Sequence, residues 1–233
     1  SQLGNAYDYN DLWAAVEKYS RQPKTLPQDG GVASSEAVKV GDDNKNDNFF
    51  AGGFWDQYPE YFWIQGKMPK HMRFPKRLTE RACSEAGLGN PESPFKLIGA
   101  KQVGKGGLAA MRMAHALKHE LRDRICIWPF EKEIADTAQI VMTEIFPRQF
   151  LMRSNHGGKK VQTLEQLNAA LGKLGCKNKY ETNRFSDHDA DAIVSAAGLR
   201  MLCGNQKNIP NNISNPSNMN KAARTREGWI FGV

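Results

Sequence analysis

The stretch FKLIGAKQVGKGGLAAMRMAHALKHEL, Phe95 to Leu121, constrains the fold more than any other part of the chain. An apolar run meets a glycine-rich turn and passes into an amphipathic segment, which predicts a strand over 95–100 and a helix over 107–121. Gly99, Gly104 and Lys105 also match the opening of a phosphate-cradling loop, where backbone N–H groups at a helix start converge on phosphate oxygens and a Lys reaches the terminal phosphates. Gly106 stands where such a loop carries the Ser or Thr that ligates Mg²⁺. Three readings stay open. One is a P-loop-like NTPase using the Gly99–Lys105 loop, with Glu144 as the neighbouring-strand carboxylate. Another is a glycine-rich helix start that packs closely on a strand. The third is a helix start whose Lys105 holds a nucleic-acid backbone phosphate.

The rest of the chain supplies further elements in an order that argues for an α/β sheet covered by helices. RICIWPF (124–130) and AQIVMTEIF (138–146) read as strands. TLEQLNAALGKLG is a helix with Thr163 and Gln166 at capping-box spacing and Gly175 as its stop. SDHDADAIVSAAGLRML is a second, with Ser186 and Asp189 at the same spacing. NDLWAAVEKYS (10–20) predicts a short amphipathic helix, 21–48 a long polar loop, and the Asn-rich GNQKNIPNNISNPSNMN another loop. REGWIFGV is apolar enough to dock as a terminal strand. A boundary near residue 94 divides an irregular part, 1–94, from a regular α/β part, 95–233.

Of the fifteen residues from Phe49 to Trp63, eight are aromatic, and the basic run KMPKHMRFPKR follows. Rings beside cations form platforms for single-stranded nucleic acid, since bases stack on rings and phosphates pair with Lys and Arg. The same residues equally pack a lid with a solvated basic face. A formal charge of +7 on 233 residues is compatible with an anionic partner. With 40% apolar residues the chain can bury a substantial core. No apolar run of membrane-spanning length and no leader pattern occur in it, so cytoplasm is the default compartment. The four cysteines, Cys83, Cys126, Cys176 and Cys203, make no C-x-x-C pair and read as reduced, mostly buried thiols.

Two groups of carboxylates carry chemistry. Alternation places Ile140, Met142, Glu144 and Phe146 on one strand face, so Glu144 needs a cation, a metal or hydrogen bonds, or a place at a strand end facing a cleft. On the helix after Ser186, Asp187 and Asp191 are one turn apart and His188 precedes Asp191 by three, so all three address one region. Asp191 falls at the margin of a stripe formed by Ala190, Ile193, Val194 and Ala197. His115 and His119 have zinc-chelating spacing without the H-E-x-x-H order, and read as a surface pair.

The segments LIGAKQVGKGG, IWPFE, TEIFPR, DHDADAIVSAAG and REGWIFGV together resemble a family of predicted nucleases with an RNase H-like fold, distantly similar to RuvC-type resolvases. The resemblance spans about Phe95 to Val233. It implies a mixed sheet flanked by helices, with acids from strands and a late helix holding Mg²⁺ or Mn²⁺, ions that would activate a water and stabilise the leaving oxygen of a phosphodiester. The late-helix motif falls on His188, Asp191 and Ala192, and the strand acid on Glu144, with Glu131 as second candidate and Asp187 as a further ligand. The family's leading Asp, on a first strand, has no counterpart before YDYNDLWAAVE, so the chain reads as a truncated copy or one whose first strands come from elsewhere. The expectation is therefore an RNase H-like α/β domain acting as a metal-dependent nuclease or a nuclease-derived nucleic-acid binder. Glu144, Asp191 and His188 are the catalytic candidates, and Lys105, Arg148 and Arg153 the phosphate contacts. A non-catalytic interaction protein is the other alternative.

Overall fold

The computed structural model describes residues 8–20, 52–58, 61–62, 74–99, 102–131, 137–182, 184–204 and 215–233. The expected loop over 21–48, the rings of Phe49, Phe50 and Trp63, most of the basic run from Lys67 and the Asn-rich segment 205–214 lie outside them. The chain divides into two compact units, one of residues 1–75 with 92–120, the other of 76–91 with 121–233. The division therefore does not fall at residue 94. Residues 76–91 belong with the C-terminal part, and the helix that follows Gly104 belongs with the N-terminal one.

The first unit contains helices α1 (Tyr9–Ser20), α2 (Gly52–Asp56) and α3, whose helix Gly104–Leu121 begins three residues before the expected start. Its core joins Val16, Phe54, Trp55, Leu97 and Leu108, so the apolar stripe of α1 is buried as its spacing predicts. Arg112 Nε donates to Glu17 Oε2 at 2.7 Å, an ion pair between two partly buried side chains.

The strand expected over 95–100 is not formed. Residues 94–95 turn, Lys96 makes a lone bridge, and Gly99 adopts φ +86°. Leu97 is nevertheless fully buried. A Cβ on Gly104 would lie 2.4 Å from the Pro94 carbonyl oxygen and 2.7 Å from Leu97 Cδ2. The Gly104 N–H donates to Lys96 O at 3.0 Å. Gly104 is required because the preceding turn folds back against the helix start, which leaves no room for a side chain.

The second unit is mixed helix and small sheet. A helix α4 (Leu78–Glu85) and a 3₁₀ turn (Arg122–Arg124) accompany parallel strands β1 (Ile125–Ile127) and β2 (Ile140–Met142), with Ile125 opposite Ile140. Helices α5 (Pro147–Arg153), α6 (Leu164–Lys173) and α7 (Asp187–Cys203) follow, and a π-helical turn (Ala223–Glu227) ends on Gly228 at φ +77°. Both capping boxes form: Thr163 accepts from Gln166 N, and Ser186 from Asp189 N. Gly175, at φ +81°, stops α6 as expected.

One core joins α5, α6 and α7 through Phe150, Leu167, Leu171, Leu174 and Val194. Another gathers Ala82, Cys126, Trp128, Ala223, Trp229 and Phe231, so the chain end docks as its composition predicts. It does so by a single parallel bridge, Ile230 with Glu144. All four cysteines are free; Cys83 and Cys126 are buried, and burial pushes the Cys83 thiol up to about 11.

A candidate phosphate-contact site and the placement of the acids

Glu144 follows β2, in the bridge to Ile230, and its backbone oxygen accepts from Phe231 N at 2.9 Å. The alternation expected to run from Ile140 to Phe146 ends with the strand at Met142, and the Ile140 face is not the core. Val141 packs on the core while Ile140 is 44% exposed, so the carboxylate stands at an exposed strand end. Its cation is Arg77, at the N-terminus of α4. Arg77 Nη2 donates to Glu144 Oε1 at 2.6 Å and Nη1 to Oε2 at 2.9 Å, a bidentate fork. Burial alone would lower the Arg77 pKa, yet the Glu144 and Glu80 carboxylates outweigh it and raise the value above its ordinary one.

The late-helix acids sit on the first turns of α7. Ala190, Val194 and Ala197 are buried, whereas Asp187, His188 and Asp191 are exposed, so the stripe and its margin lie where the spacing placed them. Lys160 pairs with Asp187. Asp191 is held above the usual carboxylate range by partial desolvation first and by Asp187 second, with His188 and Lys160 pulling the other way. Asp189 is held low by its hydrogen bonds to Ser186.

These placements fix how the acids relate. The charges that act on Asp191 include Asp187, His188 and Lys160. Glu131 is engaged elsewhere: its carboxylate accepts from Ile127 N at 2.9 Å and closes the turn after β1. Among the described residues no three His, Cys, Asp or Glu side chains are grouped to hold a metal ion, His115 and His119 included. Each Glu144 oxygen accepts a hydrogen bond from Arg77.

The raised Asp191 value has a consequence for stability. The folded protein binds that proton more tightly than the unfolded chain does. The penalty for the charged form is therefore complete above the folded value, and it disappears below the unfolded one. Asp191→Asn is expected to stabilise by about 0.2–0.5 kcal/mol at neutral pH, the size of a like-charge pair one helical turn apart. In acid, with Asp191 protonated, thermal melts of the two forms should coincide.

The phosphate candidates divide. Arg153 Nη2 donates to Gly232 O at 2.5 Å and so ties down the chain end. Arg148 is exposed and, among the described residues, has no hydrogen bond or ion pair. Lys105 lies on the first turn of α3 with Nζ 5.4 Å from the Trp55 ring centroid. Among the described residues it pairs with no carboxylate, and the N–H groups of Lys105 and Gly106 donate to no protein acceptor. A Cβ on Gly106 or Gly107 would meet nothing within 4 Å, and Gly106 is exposed.

Arg77, Glu80 and Glu227 were not legible as site residues. The only local signal is the Arg77–Glu80 spacing of a helix start. No helix of the described residues is long and apolar enough to cross a membrane. No family model, curated protein or solved structure matches the chain.

Proposed function

We propose that the protein is a nuclease-derived nucleic-acid binder of RNase H-like ancestry that contacts a backbone phosphate through the start of α3. The observation that carries this reading is Lys105, a cation held against the Trp55 ring with no counter-charge among the described residues, beside the unpartnered N–H groups of Lys105 and Gly106. A helix of 18 residues adds a partial positive charge at that end. Together these supply a cation and two directed donors to one phosphate. A seat for a complete triphosphate would need more, including the Mg²⁺-ligating hydroxyl that Gly106 lacks. The net charge of +7 favours encounter with a polyanion.

Binding is favoured over hydrolysis because the strand acid is neutralised by Arg77. A metal ion at Glu144 would have to share the carboxylate with that guanidinium. The experiment is titration of a fluorescent single-stranded oligonucleotide at several salt concentrations. Lys105→Ala should weaken binding and reduce the slope of log K against log salt by about 0.7, the value of one single-strand phosphate contact. An unchanged slope in the variant overturns the reading of α3. Strand cleavage by the wild type on adding Mn²⁺, lost in Glu144→Gln, overturns the preference for binding over hydrolysis.

A further inference from the structure

We propose that the second unit carries its own oxyanion site, formed by Arg148 and the backbone amides of Gly157, Gly158 and Lys159, and that its ligand is a phosphate group. It rests on residues apart from α3 and stands whether or not Lys105 contacts a strand.

The site is built by the sequence SNHGGKK after α5. Asn155, Gly157 and Gly158 have φ of +59°, +68° and +64°. Three residues at positive φ within four positions make a tight turn, and turns of this kind can present backbone N–H groups to an anion. The N–H groups of Asn155 and His156 close the end of α5 on Met152 O and Leu151 O. Those of Gly157, Gly158 and Lys159 donate to no protein acceptor among the described residues, although Gly158 is buried. An amide without a partner on a buried residue is open to a ligand or a water. In the same loop His156 Nε2 is also buried without a partner.

Arg148 is fixed beside these amides. A Cβ on Gly158 would lie 2.8 Å from Arg148 Nε and 3.2 Å from its Cγ, so only a glycine lets the side chain lie against the loop backbone. On the other side its Cγ and Cδ are each 3.6 Å from the Cβ position of Gly89, itself at φ +111°. Two glycine turns thus hold the stem of an arginine whose five donors are unused among the described residues. Lys159 adds a second exposed cation without a partner there. Lys160, next along, is taken by Asp187 and neutralises it. Two free cations and three unpartnered amides in one loop suit a tetrahedral oxyanion, which an arginine fork grips in bidentate fashion.

The test uses the ¹⁵N-labelled full chain, titrated with inorganic phosphate and separately with a short oligothymidylate lacking terminal phosphates. The Gly157, Gly158 and Lys159 amide resonances should move saturably with at least one probe. Arg148→Ala should weaken that binding about tenfold, in keeping with loss of a charge-assisted bond. Lys173→Ala, on α6, should bind as the wild type does. A response to phosphate alone supports a site for free or terminal phosphate. A response to the oligonucleotide, with or without phosphate, supports a backbone phosphodiester. Loop amides that stay still with both probes overturn the proposal. So does an Arg148→Ala variant that melts and binds as the wild type does. If Arg148→Ala melts lower, Lys159→Ala replaces it, and full affinity in a normally folded Lys159→Ala likewise overturns the site as drawn.

Discussion

Replacing Arg77 with Met is expected to destabilise the second unit by about 3–5 kcal/mol, the cost of leaving a buried charge without its partner. The guanidinium has five N–H donors and each has an acceptor. Nε donates to Glu80 Oε1 at 2.8 Å and Nη2 to the same oxygen at 2.5 Å. The second Nη2 hydrogen and one on Nη1 engage Glu144 at 2.6 and 2.9 Å, and the other Nη1 hydrogen reaches Glu227 O at 2.8 Å. Glu80 makes the substitution costly, because its side chain is only 1% exposed. Its Oε2 is bound to Arg77 N at 2.6 Å, but Oε1 would face the interior without a cation.

Glu144→Gln should cost far less, since that side chain is 44% exposed and water replaces the lost charge. Urea unfolding followed by tryptophan fluorescence reads both changes, because Trp128 and Trp229 are buried in this unit. Adding Glu80→Leu to Arg77→Met should recover much of the loss, as apolar replacement of a whole buried pair often does. Arg77→Met within 1 kcal/mol of wild type would show that the network holds little of the fold together.

That network also shows where the sequence stops being informative. Arg77 meets Glu144 across 67 residues and Glu227 across 150, and no local pattern encodes such a meeting. The capping boxes at Thr163 and Ser186 were legible because their donors and acceptors lie three residues apart. Of the strand expected over 124–130 only ICI formed, since Arg124 ends a 3₁₀ turn and Trp128–Phe130 turn, just as 138–146 shrank to Ile140–Met142. LIG formed no strand, because burying Leu97 needs only a turn folded against Gly104, and a short apolar run does not distinguish that from a strand.

The face of Glu144 was half legible. Alternation grouped it with Ile140, Met142 and Phe146, but the strand ends at Met142 and Phe146 caps the start of α5, and which face of β2 meets the core depends on Val141 and the elements packed against it. Of the phosphate candidates, composition could not separate Arg153, spent on Gly232 O, from Arg148, which the glycines at 89 and 158 leave available. The HGGKK loop raised no expectation in the sequence, because its left-handed residues show only in the backbone angles.

Gly198→Ala is expected to destabilise the same unit by about 1–3 kcal/mol, the range for an extra methyl in a filled core. Helix propensity alone argues the other way, since Ala in a helix interior is favoured over Gly by about 1 kcal/mol. Packing overrides it here. A Cβ at Gly198 would stand 2.1 Å from Phe150 Cδ1, 2.3 Å from Cγ and 2.5 Å from Cε1. Phe150 is fully buried among Leu151, Leu167 and Val194, so the ring has nowhere to go unless α5 and α7 separate.

Phe150→Leu in the Gly198→Ala background should return part of the stability, because the smaller side chain vacates the space the methyl needs. The combined loss is then smaller than the sum of the two single losses, a coupling that chemical denaturation measures directly. Because α5 also carries Arg148, the substitution is further expected to weaken the proposed phosphate binding at the glycine loop while leaving the proposed Lys105-dependent salt slope unchanged. A Gly198→Ala protein as stable as the wild type would mean that α5 and α7 do not approach as closely as Phe150 and Gly198 place them.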